Sequence, residues 1–205
     1  MHHFIFPTKD SWITSGSRIS DGQSMKNQNF GRDQILEVKK FYYNNQFDHQ
    51  TRALINFDGT DFTNMSQSIV ENKITSPRFY LRLYEADGNA ELSEEYTLVS
   101  HPISESWVEG TGKFGDEPKN TNGVSWENRS NPIGGSETTW ATVGSIDQTA
   151  GPTVITGSGN GASQSFSNQS PDVNMEVTEI VNNWLNKTNK NYGFLLKFSG
   201  SQETD

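Results

Sequence analysis

The sequence predicts an all-β fold, specifically a jelly-roll-like antiparallel β-sandwich with one short helix near the C-terminus. The clearest signal is a run in which Ala53, Ile55 and Phe57 share one face and Leu54 lies on the other. A second run, 79–85, alternates large apolar side chains with arginine. Gly, Asn, Ser and Thr separate such runs along the chain. Short alternating runs bounded by turn residues are typical of sandwiches and barrels.

The composition indicates a loop-rich β protein with a thin core. Only 31% of the residues are hydrophobic, the mean hydropathy is −0.74, and 20% are charged. Asn, Ser, Thr and Gly together supply 79 of the 205 residues, so the polarity comes from uncharged groups. This differs from the charge-driven composition of disordered chains. The five tryptophans and other aromatic residues offset the scarcity of aliphatic ones, because each buries a large apolar area.

The charge balance and the absence of cysteine exclude several classes of function. The net charge is −9 and the pI is about 4.9. The basic residues are scattered, with Lys39-Lys40 as the only adjacent pair, which argues against nucleic acid as a partner. Without cysteine there are no disulfides, thiolate nucleophiles or Cys-ligated metals. No apolar run approaches the length of a membrane span, and the run at 4–6 is too short for a signal peptide.

The first half of the chain gives several strand signals and one ambiguous helix signal. A turn is predicted at 44–45, between two of the strands. The periodicity of 65–74 also fits a short helix, since Met65 and Ile69 fall on one side, but its many polar residues weaken that signal. The strands predicted in this half are 4–6, 11–14, 34–43, 51–58 and 78–85.

The second half begins with a predicted strand at 95–101 and ends with one at 191–198. Between them lie a long Gly-rich loop bearing tryptophans, from 102 to about 140, and a polar stretch to Asp172 that favours short strands. The helix is predicted at 178–186, with Thr178 as its N-cap. Its apolar face is predicted to carry Ile180, Val181, Trp184 and Leu185.

Four segments, in this order, resemble the DNRLRE-domain proteins, a jelly-roll-like β-sandwich family that includes carbohydrate-binding modules of polysaccharide-active enzymes. The similarity spans most of residues 30–198, and is greatest to sequences found in tailed-phage structural proteins. The matching segments are the strands 52–58 and 79–83, the loop motifs Trp-Val-Glu-Gly (107–110) and Val-Ser-Trp-Glu (124–127), and the helix 177–184 leading to Asn-Tyr-Gly-Phe (191–194).

The resemblance implies a domain organisation as well as a fold. Residues 31–205 are expected to form the β-sandwich domain, and residues 1–30 either to join it or to form an attachment arm. Such domains usually close with a further strand after the Asn-Tyr-Gly-Phe strand, whereas this sequence ends soon after it. We therefore expect the closing strand to be supplied by another segment or subunit, or by a continuation of the chain. In the apolar strand 191–198, one face is predicted to carry Tyr192, Phe194, Leu196 and Phe198, and the other Gly193, Leu195 and Lys197. This strand is expected to be paired on both sides, since an open edge would promote aggregation.

The resemblance also implies the function. The first expectation is a non-enzymatic virion structural protein of a tailed bacteriophage, tail-associated as a fibre or an adaptor and assembled in the host cytoplasm. Its partners would be other virion proteins and copies of itself. The alternative is a carbohydrate-binding module of a secreted polysaccharide-degrading enzyme, with a surface glycan as ligand. No cofactor and no membrane partner are expected.

The candidate binding residues are three tryptophans of the long loop, Trp107, Trp126 and Trp140. Exposed indole rings could stack against sugar rings. The competing interpretation, which the resemblance favours for the first two, is that they pack the loop onto the sandwich. Asp58 and Asp61 could take part in a calcium site but lack a full ligand set. Carboxylates that are neighbours in sequence are assigned to solvated loops, so no catalytic residue is predicted.

Overall fold

A computed structural model describes residues 2–43, 46–86, 95–141, 152–167 and 172–203. These residues form ten strands, two α-helices and one 3-10 helix. The strands are β1 (Lys9–Thr14), β2 (Lys40–Tyr43), β3 (Gln46–Asn56), β4 (Tyr80–Leu83), β5 (Glu95–Pro102), β6 (Asn128–Ser130), β7 (Thr138–Thr139), β8 (Ala162–Ser167), β9 (Val173–Glu176) and β10 (Phe194–Phe198). The helices are α1 (Thr60–Val70), α2 (Thr178–Leu185) and the 3-10 helix Gly200–Glu203.

Six strands form the main sheet, in the order β1-β3-β10-β5-β8, with β2 also paired to β3. Every pairing in this sheet is antiparallel. Two smaller antiparallel pairs, β4-β9 and β6-β7, complete the described strands. The structure therefore confirms an antiparallel protein built mostly of strands. It also contains two helices in its described part, where one was predicted.

Alternation along β3 and β10 separates the two faces of the main sheet. Ala53, Ile55 and Phe57 belong to one apolar cluster, and Leu54 belongs to another on the opposite face. β10 divides in the same way, with Phe194 in the first cluster and Leu195 in the second. This confirms the faces predicted for these strands, because neighbouring side chains of a strand point to opposite sides of the sheet.

The first face of the sheet is covered by the helices and by β4-β9. The apolar cluster on this face contains residues of the main sheet together with buried residues of β4, β9 and α2. Phe62 of α1 packs against this cluster. In α2, Ile180, Val181 and Trp184 are buried, as the helical periodicity predicted. The Trp184 ring lies 4.7 Å from the Phe194 ring, so the helix packs directly on the central strand.

The start of α2 differs from the prediction. The helix begins at Thr178, but Val177 occupies the N-cap position and no side chain caps the helix. The Thr178 hydroxyl instead accepts a hydrogen bond from the Phe79 N–H at 3.0 Å. The Thr178 side chain therefore links the helix to the segment before β4, and the N-cap assignment was wrong.

The strand predicted at 34–43 is shorter than expected. Only Lys40–Tyr43 is a strand, paired with the N-terminal part of β3. The Thr51 N–H donates to the Lys39 carbonyl, and from Ala53 onward β10 occupies the same edge of β3. Residues before Lys40 therefore cannot continue pairing along this edge of β3, because β10 is paired there. The predicted turn at 44–45 lies outside the described residues.

The C-terminal strand β10 is paired on both sides, with β3 and with β5. This confirms the predicted double pairing, and both neighbours come from the same chain. Tyr192, predicted to share the face of Phe194, packs instead against the cluster on the opposite face. Gly193 between them has a φ of 92°, which interrupts the alternation of the strand.

Candidate functional site

The described part of the long loop between β5 and β8, residues 103–141 and 152–161, covers the second face of the main sheet. Its three tryptophans are buried: Trp107 is 3% exposed, Trp126 1% and Trp140 6%. They pack with Leu54 and Leu195 of the sheet in one cluster. None of these rings presents a face to solvent on which a sugar could stack, so the hypothesis of exposed indoles has no support at these three residues. The competing interpretation, that they pack the loop onto the sheet, agrees with the observed packing.

Polar contacts of the indoles fix the position of this loop. The Trp107 Nε1–H donates to the Tyr192 carbonyl at 2.8 Å, and the Trp140 Nε1–H donates to the Ser125 carbonyl at 3.1 Å. The Arg52 guanidinium lies 4.7 Å from the centre of the Trp126 ring, a cation–π distance. Each ring is therefore held by a directional contact in addition to its apolar packing.

Asn29 anchors the loop from the N-terminal segment. Its side chain is fully buried, and its amide donates to the carbonyls of Glu109 at 2.6 Å and Val124 at 2.8 Å. Its amide oxygen accepts from the N–H of Gly112 at 2.8 Å and of Gly31 at 3.2 Å. One side chain thus satisfies four main-chain groups that would otherwise be buried without partners. Sequence reasoning missed this residue because nothing local distinguishes it from the other asparagines.

A buried charge cluster lies beside the loop, on the same face of the sheet. Glu203 is 1% exposed and accepts from Arg52 Nε at 2.7 Å and from an Arg52 terminal nitrogen at 3.0 Å. Lys197 Nζ donates to the same carboxylate at 2.7 Å. Two cations of adjacent strands therefore share one carboxylate from the 3-10 helix. The only signal of this cluster in the sequence was that Arg52 and Lys197 each lie within an otherwise apolar strand.

A second charged group lies where β1 meets the loop. Lys9 Nζ donates to the Trp107 carbonyl at 2.8 Å and lies 4.6 Å from the centre of the Trp107 ring. Burial lowers the pKa of Lys9, although Asp58 and Glu109 act in the opposite direction. Burial raises the pKa of Asp10, and the nearby Glu109 carboxylate raises it further. These contacts fasten the edge strand β1 to the loop.

Asp10 gives a testable pH dependence. A carboxyl whose pKa is raised by folding stabilises the folded state below its unfolded pKa of about 3.9, and this contribution is lost as the pH rises through its folded pKa. We therefore expect the free energy of unfolding of Asp10→Asn, minus that of the wild type, to be more positive at pH 7 than at pH 3. Urea unfolding at both pH values measures this difference. A difference in unfolding free energy that does not change between them would contradict the expectation.

The two calcium candidates, Asp58 and Asp61, are close in sequence but have different surroundings in the structure. The Asp58 carboxylate accepts from the Thr8 hydroxyl at 2.5 Å and from the Asn56 side-chain amide at 3.1 Å. Asp61 lies in the first turn of α1. Within the described residues, no three or more His, Asp or Glu side chains come together as metal ligands. A calcium site here therefore stays a prediction, without support from a third acidic ligand.

Comparisons with protein families and with curated proteins do not guide the assignment of this site. The sequence matches no protein-family model and no curated protein. In the part of the chain that the structure describes, no helix has the length and apolarity needed to cross a membrane.

Proposed function

We propose that this protein is a non-enzymatic structural component of a tailed-phage virion, associated with the tail as a fibre or an adaptor. The proposal includes a jelly-roll-like sandwich as its fold and the virion as its location. It takes its class from the sequence resemblance to DNRLRE-domain proteins. Its structural support is the way in which the long loop is held on the main sheet.

That loop is the observation that carries the proposal. It is irregular in sequence and has few strands, yet three buried indoles and Asn29 hold it on the sheet without any disulfide. A virion protein must keep its shape outside the cell for long periods, where slow unfolding matters more than equilibrium stability. A loop with many buried contacts opens rarely, which suits a surface that is displayed on a particle.

The N-terminal segment supports a role in attachment. Residues 9–14 form the edge strand β1, whereas the residues before them expose large apolar side chains. Phe4 is 60% exposed and Phe6 is 76% exposed. Aromatic side chains are enriched in protein interfaces, so this arm is suited to contact another virion protein.

Mass spectrometry of purified particles tests the proposal directly. Phage particles produced by cells that carry the gene should contain the protein at a fixed copy number, as expected for a symmetric assembly. Finding it only in the soluble fraction of the lysate, and never in particles banded by density, would overturn the proposal.

The alternative, a carbohydrate-binding module of a secreted enzyme, now needs other aromatic residues. Its three tryptophan candidates are buried, whereas Tyr80 and Tyr84 are 44% and 70% exposed. Retention on a polysaccharide affinity gel, lost in variants of these tyrosines, would favour the alternative over the virion role.

A further inference from the structure

Among the described strands, β4 has one unpaired edge. It pairs with β9 through Leu81 opposite Met175 and Leu83 opposite Val173. The Val177 N–H donates to the Phe79 carbonyl at 2.8 Å. Main-chain groups alternate in direction along a strand, so those of the odd-numbered residues point to β9. No other described strand pairs with β4. The main-chain groups of Tyr80 and Arg82 therefore point away from β9, toward the unpaired edge.

The solvent face of this segment alternates arginine and tyrosine. Tyr80 and Tyr84 are exposed, and so is Arg82. Arg78, just before the strand, is also exposed, with 71% of its side chain accessible. The Arg82 guanidinium already lies 5.8 Å from the centre of the Tyr84 ring. On the opposite face, Leu81 is buried in the core.

This alternation is self-complementary. If two copies of the strand pair antiparallel with Leu81 at the centre, Tyr80 of each copy lies opposite Arg82 of the other. Arg78 then lies opposite Tyr84. Every cross-strand pair on the solvent face joins a guanidinium to a tyrosine ring, a favourable cation–π arrangement.

The two neighbouring registers on the same face lack this match. A shift that centres the pairing on Arg82 places the two Arg82 guanidinium groups opposite each other, which is unfavourable. A shift that centres it on Tyr80 places Arg78 opposite Arg82, again with like charges. A pairing slipped by one residue would place the apolar face of one strand, with Leu81, on the same side of the sheet as the arginines and tyrosines of the other strand. The charges thus favour the register centred on Leu81 over its two neighbours, and pairings centred on Phe79 or Leu83 would form fewer arginine–tyrosine pairs.

We propose that the β4 edge pairs with the β4 edge of a second copy of this chain, about a two-fold axis at Leu81. The result is a continuous four-stranded sheet made from the β4-β9 pairs of both copies. This deepens the proposed function, on which it rests, by naming the surface through which copies of the protein associate. It also satisfies the unpaired main-chain groups of an edge that would otherwise be open to non-specific pairing.

Sedimentation equilibrium of the purified protein tests the pairing. The wild type should be a dimer at about 100 μM if its dissociation constant is in the micromolar range typical of weak specific contacts. Tyr80→Arg should weaken dimerisation about tenfold, because it places a second guanidinium opposite Arg82 of the other copy. The double variant Tyr80→Arg with Arg82→Glu should restore it through opposite charges. Ile133→Arg, at a site that is 85% exposed in the long loop, is the matched control.

Cysteine pairs test the register, since the chain has no cysteine of its own. Cα atoms of hydrogen-bonded antiparallel pairs lie about 5.5 Å apart, within the range of disulfides. A mixture of Tyr80→Cys and Arg82→Cys should form disulfide-linked heterodimers on mild oxidation. Neither variant alone should do so to the same extent. If Arg82→Cys alone or Tyr80→Cys alone cross-links as well as the mixture or better, the copies pair in another register and the proposed one is overturned.

Two outcomes separate this inference from the proposed function. A wild-type protein that is monomeric at about 100 μM, well above a micromolar dissociation constant, overturns the β4 pairing even if the protein is present in particles. Its absence from particles overturns the virion role even if the dimer forms. A third outcome, a monomer that binds a glycan gel through Tyr80 and Tyr84, would overturn the pairing and assign this surface to carbohydrate.

Discussion

Replacing Glu203 with Ala should lower the free energy of unfolding by about 3–5 kcal/mol, because two cations would remain buried without their carboxylate. Arg52 is 4% exposed and Lys197 8% exposed, and both bind Glu203. Urea unfolding followed by tryptophan fluorescence measures the change. The matched control is Glu127→Ala, an exposed glutamate of the long loop, which should change stability by no more than about 0.5 kcal/mol.

A second variant distinguishes two reasons why Glu203→Ala could lower stability: the loss of the Glu203 charge and the loss of its packing. Converting the cluster to apolar residues, with Arg52→Met, Lys197→Met and Glu203→Leu, removes all three of these buried charges. Such replacements of buried ion clusters are often neutral or stabilising. We therefore expect the triple variant to recover most of the stability lost in Glu203→Ala. A triple variant as unstable as the single one would mean that Glu203 acts through the shape of the C-terminal turn and not through its charge.

This cluster shows what local patterns cannot predict. Arg52 and Glu203 are 151 positions apart in sequence, and Glu203 lies in a polar C-terminal segment that carries no strand or helix pattern. Its burial depends on the 3-10 helix that turns back on the sheet. Asn29 is similar, because three of its four main-chain partners belong to the distant long loop. Both residues act through tertiary contacts that the sequence does not encode at their own positions.

The central strands were predictable because their signal is local. The alternation of Ala53, Leu54 and Ile55 fixes two faces whatever the rest of the chain does, and β10 follows the same rule. The prediction for 34–43 failed because β10, far along the chain, takes the edge of β3 that this segment would need. Competition for a sheet edge is a property of the whole topology.

The tryptophans illustrate the same limit at the candidate site. Their sequence context, a polar Gly-rich loop, allowed both an exposed and a buried indole. What decides between them is the second face of the main sheet, where Leu54 and Leu195 require an apolar cover. A strand buried on both faces was visible in the sequence, since β10 is apolar at consecutive positions. That observation did not show which segment of the chain covers the second face.

Replacing Trp126 with Ala should destabilise the protein by about 3–5 kcal/mol, the range for truncating a large buried aromatic residue. Trp126 is among the largest fully buried side chains and packs beneath the loop against the sheet. We also expect the loop to become the first site of proteolytic cleavage, because its central packing residue is lost. Limited proteolysis with mapping of the first cut measures this. Phe114→Ala, at a site that is 48% exposed in the same loop, is the control and should leave the cleavage pattern unchanged.

Combining Trp126→Ala with Glu203→Ala tests whether the loop and the charge cluster form one unit. Arg52 contacts both side chains, through its guanidinium over the indole ring and through its hydrogen bonds to the carboxylate. Once the ring is removed, solvent can reach the guanidinium, so the loss of Glu203 should cost less than it does in the wild type. We expect a coupling energy of about 1–3 kcal/mol in a double-mutant cycle. Additive effects would mean that the Arg52 guanidinium stays shielded from solvent when the Trp126 ring is removed. The loop and the C-terminal turn would then be stabilised independently.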